Sequence, residues 1–214
     1  MKKSILLFLA TFTITSAAFS QSEKYVAAMK NNLPLFDSAK TVEDYTKLAN
    51  TFERIGDAEK TQWAPYYYAA LAMSSSGWMP QVEDKDANAE KILAFCTKAE
   101  AIASDDMAKS EIEVVRNMAA TQQMMVNPQA RWGTYGKAAG EALQKGMKLN
   151  ANNPRLYYLQ GMSMLGTPVQ FGGGKDKAKP LFEKAIELYK SEKPAQLYPH
   201  WGHKQAEEGL AQCQ

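Results

Sequence analysis

The stretch KGMKLNANNPRLYYLQG, residues 145–161, predicts two helices that run antiparallel and meet at a tight turn. Gly146 is a small residue late in the first helical pattern, and the turn is formed by residues 152–154 (NNP). Tyr157 and Gly161 then place an aromatic and a small residue early in the second helix. Small residues let two helices approach closely, and large ones fill the space between neighbouring hairpins. The stretch therefore predicts a fold of stacked helical hairpins.

The remainder of the chain shows the same helical periodicity, and no segment alternates in hydrophobicity as a strand would. The predicted helices cover nearly all of the chain after residue 21: 22–38, 42–55, 63–76, 87–103, 106–126, 134–149, 154–165, 175–191 and 200–212. Several prolines fall at or near the predicted ends, where proline is tolerated or stops a helix. The fold class is therefore all-α, a short right-handed solenoid of about nine helices in one domain, residues 21–214.

The hairpin pattern repeats along the chain in the register of a tetratricopeptide unit. Its first-helix small residues are Ala72, Ala119 and Gly161, which are 47 and then 42 residues apart. A standard unit has roughly 34 residues. The additional residues lie within each hairpin, in the predicted loops GWMPQVEDKDAN, NPQARWGT and GTPVQFGGGK. Equivalent loops of a solenoid project from one edge, so we expect these three to lie together.

The third loop ends in three glycines and a lysine, Gly172 to Lys175, directly before a predicted helix. A nucleotide-binding P-loop needs a preceding strand, a wider glycine spacing and a Ser or Thr after the lysine, and this loop has none of them. Free backbone N–H groups at the start of the helix could still bind an anion. We favour a turn, because glycine is needed wherever a long loop bends sharply.

The first twenty residues have the pattern of a secretory signal peptide. Lys2 and Lys3 precede an apolar stretch, and small residues precede a cleavage site near Ser20 and Gln21. We expect a periplasmic or secreted protein without membrane insertion. The formal net charge of the whole chain is +2, and those two lysines supply it. A neutral surface gives no electrostatic reason to expect nucleic acid as a partner.

The sequence offers few residues for chemistry. Cys96 and Cys213 are the only cysteines, and we favour two separate thiols while a disulfide remains open. His200 and His203 are the only histidines, and two ligands do not complete a zinc site, so we favour a structural role. No nucleophile motif or carboxylate pair is evident. We therefore expect no enzyme, no cofactor and no metal.

The stretches LNANNPRLYYLQGMSM, TPVQFGGGKDKAKPLFEKA and PHWGHKQAEEGLAQC resemble a family of secreted tetratricopeptide-like proteins typical of Bacteroidetes. The resemblance covers most of the chain after the signal peptide and is weakest over residues 21–60. It implies an all-α repeat fold and export across the inner membrane of a Gram-negative cell. It implies no reaction, because the family has no established activity.

Two functions are compatible with these features. The first is a protein- or peptide-binding scaffold whose concave groove is formed by first-helix positions: Tyr66, Met73, Arg116, Gln123, Arg155, Tyr158 and Met162. The second is a site for a sugar or an anionic metabolite at the edge formed by the three loops: Trp78, Arg131, Trp132, Phe171, Gly172, Gly173, Gly174 and Lys175. A protein partner and a homodimer are also expected for the scaffold.

Overall fold

A computed structural model of the protein describes residues 22–214, and all regular structure in that range is helical. The predicted signal peptide, residues 1–20, lies outside the described residues. The helices are α1 (Glu23–Asn32), α2 (Leu35–Ser38), α3 (Val42–Glu59), α4 (Ala64–Ser76), α5 (Lys85–Glu100), α6 (Asp106–Met125), α7 (Pro128–Arg131), α8 (Lys137–Leu149), α9 (Pro154–Gly166), α10 (Lys175–Ser191) and α11 (His203–Ala211). Nine of these helices in the described range have nine residues or more, which confirms the predicted all-α class and helix number.

Polar side chains cap the N-termini of several helices. Thr41 accepts a hydrogen bond from the backbone N–H of Asp44 (3.1 Å), and the Asp44 carboxylate accepts one from the N–H of Thr41 (3.0 Å). This reciprocal capping box begins α3. Asp105 begins α6 in a simpler way, by accepting from the N–H of Ala108 at 2.8 Å.

Two predicted segments differ from the structure. The helix expected over 22–38 is interrupted after Asn32 and resumes at Leu35, because Pro34 has no N–H to continue the helical hydrogen bonds. The second predicted loop, 127–134, is itself helical. It consists of α7 and a π-helical turn, Trp132–Gly136, that leads directly into α8.

The long helices stack in chain order as antiparallel pairs. Helix α4 pairs with α5, α6 with α8, and α9 with α10, while α3 covers α4 and α11 covers α10. Among the first helices of the three hairpins, α4 also contacts α6, and α6 contacts α9. The segments inside the hairpins therefore share one edge, which we call the loop edge: residues 77–84, 126–136 and 167–174. The connections between hairpins share the opposite edge, which we call the turn edge.

The small residues of the repeat register are buried at helix contacts. Ala72 and Ala119 are buried, and a side chain added at Gly161 would lie 2.7 Å from the ring of Phe182. Phe182 is itself fully buried and has no space to move away. The third hairpin can therefore close only because Gly161 has no side chain.

Replacing Gly161 with Ala should destabilise the fold by about 1–3 kcal/mol, because the new methyl group overlaps the Phe182 ring. Gly140 in α8 is the matched control, since a side chain added there meets nothing within 4 Å. Gly140→Ala should stabilise by about 0.5–1 kcal/mol through the better helix propensity of alanine. Urea unfolding of the two variants measures both values. Equal effects of the two substitutions would show that the contact between α9 and α10 is not tight.

Residues 192–202, which we call the C-terminal strap, return from α10 to the first hairpin before α11 begins. The strap carbonyl of Leu197 accepts a hydrogen bond from the Tyr68 hydroxyl (3.2 Å), and the Trp201 indole N–H donates to the Tyr67 hydroxyl (2.8 Å). Leu197 has a left-handed backbone with φ 69°, which is uncommon for a residue with a branched side chain. The strap therefore lies across α4 at the turn edge and joins the last hairpin to the first.

The two cysteines are separate thiols, as favoured from the sequence. Cys96 is buried, and burial raises the pKa of its thiol to about 12. Cys213 is half-buried near the end of α11. Neither thiol stabilises the fold by cross-linking.

Candidate ligand-binding edge

The large apolar side chains that remain exposed are concentrated at the loop edge. The exposed fractions of Trp78, Trp132 and Phe171 are 50%, 55% and 76%, and each residue comes from a different hairpin. Four further exposed apolar side chains accompany them at this edge: Met125, Val126, Met162 and Val169. In the described residues, only Leu35 and Met107 are comparably exposed elsewhere. A soluble surface seldom gathers such side chains unless they contact a ligand or partner.

A buried amide network supports the loop edge beneath Trp78. The Gln122 side chain of α6 donates to the Ser74 carbonyl at 2.7 Å and accepts from the Asn88 amide at 3.2 Å. Asn88 also donates to the carbonyl of Met73 (3.1 Å). A side chain added at Gly77 would overlap the Gln122 amide, so the chain passes directly over this network. The end of α4, the start of α5 and the end of α6 are thereby fixed to one another.

Residues 127–136, within the second segment of the loop edge, carry Trp132 and are called the Trp132 arm. None of its residues is buried. The ring of Trp132 lies against Gly136: a side chain added at Gly136 would be 2.8 Å from this ring and 3.1 Å from the sulfur of Met124. The Arg131 guanidinium donates to the Gln123 carbonyl (3.1 Å) and pairs with Asp86 of α5 at 2.7 Å. An ion pair thus links the arm to the first hairpin.

The glycines of the third segment form a turn. Gly172 and Gly174 have positive φ values of 85° and 102°, a backbone that favours glycine. The N–H groups of Gly172, Gly173 and Gly174 donate to backbone carbonyls of this chain, so these three groups are not free to bind a phosphate. Lys175 donates to the backbone oxygen of Gln214 at 3.0 Å. The turn holds Phe171 outward at the edge.

Six of the seven residues of the expected groove are buried or half-buried, unlike the aromatic side chains of the loop edge. Among them, only Met162 is exposed. Tyr66, Met73, Gln123 and Arg155 are buried, and Arg116 and Tyr158 are half-buried. The Tyr66 hydroxyl donates to Asp57 at 2.7 Å, and the Tyr158 ring contacts Trp201 of the C-terminal strap. The structure therefore does not bring these seven side chains together on an open surface.

Arg155 is the residue whose environment differs most from the expectation of a groove. It is 2% exposed, donates to both oxygens of the Glu111 carboxylate (3.0 and 2.8 Å), and pairs with Glu192. Burial raises the pKa of Glu111, while the charge of Arg155 acts to lower it. Sequence reasoning missed this pair. The available signal was Glu111 itself, which lies on the buried stripe of α6 three residues after Ala108 and four before Val115.

The Arg155 pair forms the floor of a recess of about 400 Å³ at the turn edge, beneath the C-terminal strap. Its walls include Asn152, Lys193 and Tyr198. The two histidines lie near this edge, where the ring of His203 stacks on that of Tyr189 at the end of α10. Residues 175 to 189 span about 20 Å of helix, so His203 is distant from the loop edge.

The described part of the chain holds no group of three metal-ligating side chains. It also holds no helix long and apolar enough to cross a membrane.

Comparison with known proteins identifies one informative relative. No family model and no curated protein matches the chain. The HusA haemophore from Porphyromonas gingivalis is similar in structure, with a TM-score of 0.80. It is 37% identical, and the match covers 91% of this chain and 94% of that chain. This relative is helical and comes from a Bacteroidetes genus, in partial agreement with the resemblance stated above, whereas no family model supports the tetratricopeptide part.

The identity is 37%, and the match extends over nearly the whole of both chains. The chain belongs to the family of the HusA haemophore.

Proposed function

We propose that this protein is an exported carrier that binds haem or a related tetrapyrrole as its cargo at the loop edge. The name of the relative, a haemophore, supports a small ligand of this class. The proposal keeps the location of the loop-edge hypothesis and replaces its sugar or anionic metabolite by a planar macrocycle. The role is binding without catalysis.

The observation that carries the proposal is the exposure of one large aromatic side chain on each of three successive hairpins. Packed helices lie about 8–10 Å apart, so aromatic side chains at the ends of neighbouring hairpins can reach one ring system. Trp78, Trp132 and Phe171 offer flat apolar faces, and the exposed Met125 and Met162 offer adaptable thioethers beside them. A planar apolar ligand would bury these faces, which are otherwise in contact with water.

The charges of the edge fit a ligand with peripheral carboxylates. Arg131 lies in the second segment, and Lys175 directly follows the third segment as the first residue of α10. Arg131 pairs with the partly exposed Asp86, and Lys175 donates to the backbone oxygen of Gln214. A guanidinium has five N–H donors and an ammonium has three, so both side chains can also donate to a ligand carboxylate. His203 lies at the other edge and cannot ligate iron in a ligand held here. Ring contacts would therefore supply most of the affinity.

The concave-groove scaffold has less support. The C-terminal strap covers part of α4, which would line the groove, and Arg155 is engaged in a buried ion pair. A protein partner and a homodimer remain predictions that follow from the sequence alone.

The deciding experiment is a titration of residues 21–214 with haem, with metal-free protoporphyrin IX, with an oligosaccharide and with a sugar phosphate. Absorbance and tryptophan fluorescence report binding. We expect saturable binding of haem and of the metal-free ring with quenched fluorescence, and no response to the sugars. Saturable binding of a sugar ligand alone would replace the proposal by the original metabolite hypothesis. Strict dependence on iron would argue against ring contacts as the source of affinity.

A further inference from the structure

We infer that the Asp86–Arg131 ion pair is a latch that positions the Trp132 arm against the first hairpin. The inference rests on the proposed function in its final step, because the arm carries one of the three ligand-contacting aromatics. Asp86 is a positioning residue in this view, acting through Arg131 and Trp132.

The arm lies at the surface, packed against α6 and continuous with α8. It contains no buried residue, and it lies outside the hydrophobic core that holds the long helices. At the start of the arm, the backbone bonds to α6: the N–H of Asn127 donates to the Met124 carbonyl at 3.2 Å. Its middle is held by Arg131, which donates to the Gln123 carbonyl and to Asp86.

Within residues 22–214, Asp86 is the hydrogen-bonding or ion-pairing partner through which the arm contacts the first hairpin. The Gln123 contact belongs to the arm's own hairpin and cannot fix its position relative to Trp78. Asp86 stands in the first turn of α5, beyond the short segment that carries Trp78. The ion pair therefore joins the hairpin that carries Trp78 to the hairpin that carries Trp132.

The local backbone allows the arm to move when the latch is released. The π-helical turn Trp132–Gly136 is a loosely wound form that is rare except at functional positions. Gly133 has no neighbouring atom within 4 Å of an added side chain, so the turn is open on that side. The Arg131 guanidinium also lies over the ring of Tyr135, a residue of this turn, at 5.5 Å. A movement of the turn would therefore move the guanidinium as well.

The latch is partly exposed, with about a third of each side chain accessible, so salt can screen it. An ion pair of this kind changes an equilibrium by at most about fivefold. The latch would tune the position of Trp132 and would not be needed for folding.

The test compares Asp86→Asn with Glu141→Gln, a matched loss of one carboxylate from the exposed Lys137–Glu141 pair just beyond the arm. Backbone hydrogen exchange of residues 128–136 is first measured without ligand. We expect Asp86→Asn to accelerate exchange in the arm by about two- to fivefold, and Glu141→Gln to leave it unchanged. Raising the salt to 1 M should accelerate exchange in the natural protein but not in Asp86→Asn. Asp86→Glu should restore slow exchange.

Affinity for metal-free protoporphyrin IX is then measured on the same variants. We expect Asp86→Asn to weaken it by about two- to fivefold, and Asp86→Glu to recover it. Unchanged exchange in Asp86→Asn would overturn the latch, whatever the ligand result. Faster exchange with unchanged affinity would overturn its positioning role. If no variant, including the natural protein, binds the porphyrin while exchange responds as expected, the proposed function fails and the latch stands.

Discussion

Replacing Arg155 with Ala is expected to destabilise the fold by about 3–5 kcal/mol, the largest effect of any single substitution considered for this chain. The substitution leaves the Glu111 carboxylate buried at 2% exposure without its cation, and such a loss is costly because a buried charge has no water to solvate it. It also removes the links to Glu192 and to the Trp201 carbonyl, which hold the C-terminal strap. Urea or thermal unfolding measures the change.

The pH dependence of this loss of stability, which we call the deficit of Arg155→Ala, provides a second measurement. Burial raises the pKa of Glu111 above its ordinary value of 4.5, and removing Arg155 should raise it further. The folded state then holds the proton more tightly than the unfolded state. The stability that this bound proton contributes is fully present below about pH 4.5, the pKa in the unfolded state, and is lost as the pH rises through the higher pKa of the folded state. The deficit of Arg155→Ala should therefore be smaller near pH 4.5 than at pH 7.

Two comparisons separate the buried charge from a general loss of packing. Glu111→Gln combined with Arg155→Ala leaves a neutral amide in place of the carboxylate, so we expect part of the stability to return. Lys47→Ala breaks the exposed pair between Lys47 and Glu43 and should change stability by less than about 0.5 kcal/mol. A deficit of Arg155→Ala below about 1 kcal/mol would show that the pair is not a structural anchor.

The double substitution Trp78→Ala and Trp132→Ala is expected to weaken porphyrin binding by about a hundredfold or more. Each side chain is half exposed in the free protein, and each would lose the burial of an aromatic face against the ligand. Interface aromatics that contribute in this way cost about 2 kcal/mol or more when truncated. Stability should change little, because neither ring belongs to the core. Titration with metal-free protoporphyrin IX, with unfolding as the companion measurement, gives both quantities.

Leu35→Ala and Met107→Ala are the controls, since both remove an exposed apolar side chain of similar accessibility away from the loop edge. Neither should alter the affinity. Met107 lies in the wall of the recess at the turn edge. Weakened binding in Met107→Ala with normal binding in the tryptophan variant would place the ligand in that recess, and the loop-edge proposal would be wrong.

The fold was accessible from the sequence because its signals are local. Helix periodicity and the prolines at helix ends both act within a few residues of where they stand. The spacing of Ala72, Ala119 and Gly161 then revealed the repeat, since each small residue marks a helix contact. The helix predicted over 22–38 crosses a proline whose effect is also local, and the helix predicted over 200–212 begins three residues later, at His203.

The side chains of the two candidate surfaces were predictable to different degrees. The loop-edge aromatics were found because equivalent loops of a solenoid must share an edge, whatever the details of packing. The groove was predicted from the register alone, which specifies the face of a helix but not what covers that face. Arg155 illustrates the difference: its register position is that of a first-helix residue, and its environment is a buried ion pair.

The sequence by itself determined the helices, their pairing and the edge from which the three long loops project, because those features follow from periodicity and from residues near one another in the chain. Only the tertiary structure decided that the strap at residues 192–202 returns to α4 and that Glu111 meets Arg155. Contacts across forty or more residues depend on how the hairpins stack, and no local pattern encodes that geometry. The same reason explains the link between Asp86 and Arg131, which joins two hairpins through side chains that are ordinary surface charges in the sequence.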